Sequence, residues 1–199
     1  MDKKILIIFT KNPELGSVKT RLAATIGDAR ALAVYQQLVA HTQRITAGLE
    51  ADKVVFYGNF IDHNDLWHGA HYQKQVQLQS PDLGERMRHA FEWAAAAGYQ
   101  HIGIVGCDCV ELTPQILAEG MASLAQNDAC IGGAEDGGYY FLATKGVVKQ
   151  VFEHKKWSTQ TVFEDTINDL RMLDKTYHLL PILSDIDTEN DLIKCGMLY

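Results

Sequence analysis

The stretch KILIIFTKNPELGSVKTRL, residues 4–22, decides the fold class. Ile5 to Phe9 is an unbroken apolar, partly β-branched run of strand length, the signature of a strand buried on both faces of a parallel sheet. It is too short for a signal peptide with its cleavage site and far too short to span a membrane. A polar loop from Thr10 to Leu22 follows, carrying Pro13, Gly16, Lys11, Lys19 and Arg21. Glycine and fixed positive charge directly after a buried strand are what a phosphate cradle needs. A solvated basic loop has the same composition, and the G-x-x-x-x-G-K-[ST] pattern of a P-loop is absent.

Downstream, strand and helix signals alternate. From Asp28, read as an N-cap, Leu32, Tyr35, Leu38, Val39, Thr42, Ile45 and Leu49 recur at helical spacing. Lys53 to Gly58 returns to strand character, Asn59 to Tyr72 has no period and reads as a long loop, and Gln73 to Gln79 reads as a short edge strand. Asp82 to Ala97 is helical with Gly98 as its stop, and His101 to Gly106 is the next buried strand. Thr113-Pro114 opens a helix to about Gln126. Ala129 to Gly133 and Tyr139 to Thr144 flank the turn Glu135-Asp136-Gly137-Gly138. Ser158 or Thr159 starts a further helix, Tyr177 to Leu183 closes the core, and Asp187-Thr188 opens a short terminal helix. The pattern predicts an α/β fold of three layers, α/β/α, with a mostly parallel sheet covered on both faces, in one domain over 1–199. In such sheets ligands sit at the carboxyl ends of the strands, so the loops after Phe9, Gly106, Gly133 and Leu183 are the places to look.

The formal charge of −7 argues against a broad nucleic-acid surface, whose phosphates need distributed Lys and Arg. A small anion needs only a local cluster, and Lys11, Lys19 and Arg21 supply one. Cys107, Cys109, Cys130 and Cys195 have no C-x-x-C spacing and read as reduced thiols of a cytoplasmic protein. His63, His68 and His71 beside Trp67 lack the i,i+4 pairing of a helical metal site.

Asp108 follows a buried strand, where a carboxylate is poorly placed for packing and well placed for Mg²⁺ or Mn²⁺, or else caps the next helix. Asp185 and Asp187 add carboxylates at another strand end, and Asp187 alternatively caps the last helix. Glu135 and Asp136 form a third acidic point, beside Gly137 and Gly138, which let a substrate approach the backbone. Ser158 reads as a cap, since no G-x-S-x-G supports a serine nucleophile, and Arg86 and Arg88 read as the wet side of their helix.

Several blocks taken in order resemble a known set: Lys11-Asn12-Pro13 through Val18-Lys19-Thr20-Arg21-Leu22, Asp82-Leu83-Gly84-Glu85-Arg86-Met87, Gly106-Cys107-Asp108-Cys109-Val110-Glu111-Leu112, Asp136-Gly137-Gly138-Tyr139-Tyr140, Trp157-Ser158-Thr159 and Asp185-Ile186-Asp187-Thr188. The set resembles a bacterial GT-A-like glycosyltransferase family associated with radical-SAM and selenodomain proteins. It is more distantly similar to phospholactate and molybdenum-cofactor guanylyltransferases. The resemblance implies a nucleotide-diphospho-sugar transferase fold in which Lys19 and Arg21 hold nucleotide phosphates and Asp108 holds Mg²⁺. The D-x-D of many glycosyltransferases stands here as Asp108-Cys109-Val110.

The expected function is therefore metal-assisted transfer from a nucleotide or nucleotide-sugar donor to a small-molecule acceptor, glycosyl transfer first and nucleotidyl transfer second. In either case the metal, Lys19 and Arg21 stabilise charge on the leaving phosphate, and Asp136 is the expected base. A nucleotide-binding protein without turnover is the non-enzymatic alternative.

Overall fold

The computed structural model describes residues 2–68 and 71–197. The loop read over residues 59–72 therefore falls partly outside them, at Gly69 and Ala70. Strand β1 (Lys4–Thr10) lies at the centre of a sheet with β2 (Asp52–Tyr57) and β3 (Tyr72–Val76) on one side. On its other side come β4 (His101–Val105), β6 (Tyr139–Lys145), β5 (Ala129–Ala134) and β7 (Tyr177–Leu183), in that order. Every pairing is parallel except those of β6, which runs antiparallel to both β4 and β5. The mostly parallel sheet expected from the sequence is thus present, interrupted by the one hairpin that Asp136-Gly137-Gly138 turns. Strand β7 is an edge strand rather than the closing element of the core, with Leu179 and Ile182 exposed.

Alternation along β1 feeds two apolar layers. Leu6 and Ile8 pack with Tyr35 and Val39 of α2 (Asp28–Ala47) and with Leu117 and Met121 of α4 (Pro114–Ser123). Ile5 and Ile7 pack with Met87, Ala90 and Phe91 of α3 (Leu83–Ala96) and with Ile167 and Leu170 of α5 (Val162–Met172). Period-2 alternation in a strand against period-3.6 stripes on helices is what makes this three-layer arrangement the economical burial. A third cluster joins Leu22 and Ile26 of α1 (Thr20–Ile26) to Val34, Leu38, Ile186 and Leu192, the last on α6 (Glu189–Cys195). Among the described residues no helix is long and apolar enough to cross a membrane.

Beyond shifts of a few residues at the ends of β3 and α4, three boundaries differ from the sequence reading. The end of the first loop is helical: α1 has only seven residues, too short to show a period, and its buried face is just Leu22 and Ile26. It stops at Gly27 (φ +84°), which occupies the cap position of α2, so Asp28 is the first helical residue and not the cap. It still favours the helix by facing the positive end of the dipole. Finally, α5 begins at Val162, with Thr161 rather than Ser158 or Thr159 before it.

Candidate active site

The loops after β1, β4, β5 and β7 meet over the carboxyl edge of the sheet and enclose a cleft of about 500 Å³. Lys11, Lys19, Arg21, Asp108, Asp136, Gly138, Asp185 and Asp187 all line it. The first loop is pinned at its start by Tyr35, whose hydroxyl accepts from the Lys11 N–H at 2.8 Å. It is pinned again by buried Asn12, which accepts from the Asn59 N–H at 3.0 Å and donates to the Phe60 carbonyl at 2.9 Å. Lys19 then takes a left-handed conformation (φ 48°, ψ 45°) as α1 begins, an unusual backbone for a residue with a Cβ. The turn aims its side chain inward, where only 6 % of it is exposed.

There the Lys19 ammonium bonds Asp108 at 2.6 Å and Asp187 at 3.0 Å. Burial opposes its charge, but the two carboxylates outweigh that and raise its pKa. The meeting of Asp108 with the β7 exit is built by main chain: the Ile186 N–H donates to the Asp108 carbonyl at 2.9 Å, and the Ser184 N–H donates to the Glu111 carboxylate at 2.8 Å. Ile186, fully buried, anchors this segment in the third cluster, so its neighbours Asp185 and Asp187 are presented to the cleft. Asp187 does not cap α6. Thr188 does, reciprocally with Asp191 in a capping box, which leaves the Asp187 side chain to Lys19 and, at 3.9 Å, to Arg21.

Asp185 is the residue whose importance the sequence understated. Its Oδ1 is enclosed without a hydrogen-bond partner among the described residues, and burial, followed by the charge of Asp108, pushes its carboxyl up to about 7. Asp108, Asp185 and Asp187 together offer hard oxygen donors, two of them already converging on one positive charge, and this donor set suits Mg²⁺ or Mn²⁺. Among the described residues no three His, Cys, Asp or Glu side chains are already grouped as a metal site, and Lys19 fills the space between Asp108 and Asp187. This also places Lys19 differently from the expectation that it holds phosphate: here its charge is committed to carboxylates. Arg21 is mostly exposed at the rim, and Lys11 is exposed, with no carboxylate partner among the described residues.

The sequence reading missed Arg86. It lines the cleft without a carboxylate partner among the described residues, held by the Gln77 side-chain oxygen at 3.2 Å. Gln77 is itself buried and fixed by donating to the Phe56 and Thr10 carbonyls at 2.9 and 3.2 Å. Helical spacing carried the signal: position 86 is three after Leu83 and four before Ala90, on the inward stripe. Arg88 does lie outward, paired with Glu153 at 2.9 Å. Beside Arg86 the helix start is packed so closely that a Cβ on Gly84 would lie 2.1 Å from the Phe152 carbonyl oxygen and 2.8 Å from the Trp157 ring. Ser158, the next residue, has φ 63° and faces the cleft, so it does not serve as the helix cap that its place in the sequence suggests.

Asp136 is exposed at the cleft wall, its Oδ1 accepting from the Gly138 N–H at 2.8 Å. Gly137, unlike Gly138, is not among the residues that line the cleft. Its φ is +87° and a Cβ there would meet the Gln160 carbonyl oxygen at 2.1 Å, so this glycine serves close backbone packing. Cys107 and Cys109 are buried thiols that burial pushes up to about 12, which leaves them protonated and unsuited to ligation. None of His63, His68 and His71 lines the cleft, and Trp67 among them is buried as an anchor.

The comparisons agree with this architecture. A solved structure from Desulfovibrio desulfuricans G20, described as a "putative nucleotide-diphospho-sugar transferase", is 32% identical, covers 96% of this chain and 85% of its own, and superposes with a TM-score of 0.87. The inositol-1-phosphate CTP transferase of T. maritima shares the fold at 12% identity, covering 96% of this chain and 92% of its own, TM-score 0.62. So does a Mycobacterium tuberculosis H37Rv protein, Rv0371C, solved in complex with manganese, at 10% identity, with coverage of 98% and 97% and a TM-score of 0.58. No curated protein matches the chain in sequence. The family model described as "uncharacterized protein conserved in bacteria (DUF2064)" matches residues 38–159, and with the β4 exit, the 136–138 turn and the Trp157 segment all inside that span, the chain belongs to this family.

Proposed function

We propose that this chain is a metal-assisted transferase that takes a nucleotide-diphosphate sugar as donor and passes the glycosyl group to a hydroxyl of a small-molecule acceptor. The observation that supports it most is the convergence of Asp108, Asp185 and Asp187 with Lys19 on one cleft, in a chain 32% identical to the Desulfovibrio protein. Asp108 and Asp187, with Asp185 beside them, would hold Mg²⁺ or Mn²⁺, which when bound neutralises charge on the diphosphate leaving group. Lys11 and Arg21 at the rim add positive charge for the phosphates, and Arg86, which lines the same cleft, donates to oxygen atoms of the ligand. Leu83, Met87, Tyr139 and Trp157 supply the apolar surface beside it. Asp136 keeps one oxygen on the Gly138 N–H, and the other, with no hydrogen-bond partner among the described residues, takes the proton of the acceptor hydroxyl. In the transfer, the bond from the anomeric carbon to the donor phosphate breaks, the acceptor oxygen bonds that carbon, and the proton passes to Asp136. The free thiols fit a reducing compartment, and we place the reaction in the cytoplasm.

The test is the identity of the leaving group. With nucleotide sugars and a pool of hydroxylated acceptors, the protein is expected to release nucleoside diphosphate in the presence of Mg²⁺ or Mn²⁺, and Asp108→Asn is expected to lose at least ~100-fold of that rate. Pyrophosphate release from nucleoside triphosphates, dependent on Asp108, would replace glycosyl transfer by nucleotidyl transfer.

A further inference from the structure

The Lys19 ammonium lies between Asp108 and Asp187, at 2.6 and 3.0 Å, in the space that a divalent cation bound by both would need. The side chain is almost wholly buried, so solvent screens its repulsion of a second cation only weakly. Lys19 and a metal ion therefore cannot both occupy this position. The backbone, meanwhile, has no need to move, since the Lys19 carbonyl is fixed by the Ala23 N–H at 2.8 Å and only the flexible four-carbon stem must swing. Once swung out, the ammonium needs a new anionic partner. Within the cleft the remaining carboxylates among the described residues are Asp136, exposed on a separate turn, and Asp185, whose enclosed Oδ1 faces the same crowded cluster.

We infer that Lys19 is a built-in occupant of the metal position, exchanged for the divalent cation when the diphosphate of a nucleotide arrives to receive the displaced ammonium. This inference rests on the metal-dependent reading proposed above and adds an order to it: metal alone binds weakly, metal with nucleoside diphosphate binds tightly, and the two ligands are positively coupled through one side chain. Such coupling is reciprocal, so metal tightens the nucleotide by the same factor as nucleotide tightens the metal. Until then the shared ammonium also offsets the mutual repulsion of the Asp108 and Asp187 carboxylates.

The experiment is a Mn²⁺ titration, followed by the electron paramagnetic resonance signal of free Mn²⁺, of the parent, Lys19→Met, Lys19→Gln and Asp108→Asn. Each is measured alone and with UDP, CDP, GDP and ADP in turn, after a thermal melt confirms folding. Met and Gln meet the same left-handed backbone as Lys, so neither adds strain at this position. The expected result is that both Lys19 variants bind Mn²⁺ alone at least about tenfold more tightly than the parent, and that the diphosphate that tightens Mn²⁺ binding to the parent does so much less in the variants. Equal or weaker Mn²⁺ binding by the Lys19 variants would overturn the exchange, while leaving the metal site standing if Asp108→Asn still loses Mn²⁺. An Asp108→Asn protein that binds Mn²⁺ as the parent does, with every diphosphate, would overturn the metal-dependent reading itself, and the exchange with it.

Discussion

Replacing Asp185 with Asn removes a carboxyl whose Oδ1 is enclosed without a partner among the described residues and whose pKa burial, then Asp108, pushes from 3.8 to about 7. A folded-state pKa above the unfolded value means that the folded chain holds this proton more tightly. Stability associated with the group is therefore fully present below the unfolded value and is lost as pH rises toward the folded one. Between pH 5 and pH 7 the unfolded chain has already released the proton while the folded chain still holds it, and each pH unit costs ~1.4 kcal/mol. The ceiling over that window is ~3 kcal/mol, and relaxation of the ionised carboxylate toward water reduces it to an expected ~1–2 kcal/mol. Asn does not titrate, so the stability of Asp185→Asn minus that of the parent should grow by this amount from pH 5 to pH 8. Urea unfolding of both proteins at the two pH values, with chelator present, reads the difference directly, and contributions of other groups largely cancel in it. Parallel stability curves across pH 5 to 8 would refute the reasoning. They would mean that the Asp185 carboxyl is solvated in the folded chain and carries no stored cost for a bound cation to relieve.

Asp187→Ser should melt within a few degrees of the parent without ligand, because the capping box of α6 belongs to Thr188 and Asp191 and the lost Lys19 contact is half-exposed on its acid side, worth ~0.5–1 kcal/mol. The same variant should lose most of the thermal stabilisation that Mn²⁺ plus nucleotide gives the parent. Full retention of that stabilisation would remove Asp187 from the metal set. Gly84→Ala should destabilise the protein by ~2–3 kcal/mol in urea unfolding, since its Cβ meets a main-chain carbonyl that cannot rotate away and the edge of Trp157. An unchanged midpoint would show that the Phe152 segment yields freely.

Much of this fold was legible because it rests on local periodicity. The apolar run at Ile5 to Phe9, the stripes of α2, α3 and α5, the Thr113-Pro114 start and the Gly98 stop are each set by residues near in sequence, and each element appears. The alternation of these elements was enough to predict a largely parallel sheet and to direct attention to the loops at its carboxyl edge. Lys11, Lys19, Arg21, Asp108, Asp136, Gly138 and Asp187 stand out from those loops alone, and the fold brings all of them to one cleft. The pairing of Lys19 with Asp108 and Asp187 could not be read, because it joins positions 89 and 168 residues apart through an Ile186-to-Asp108 main-chain bond that only the assembled sheet creates. Nor could the cost stored at Asp185 or the inward aim of Arg86, since burial is a property of everything packed around a side chain. Charge and spacing along a chain determine which residues are available to a site. Which charges neutralise each other, and which are left for a ligand, is decided by distances that exist only after folding.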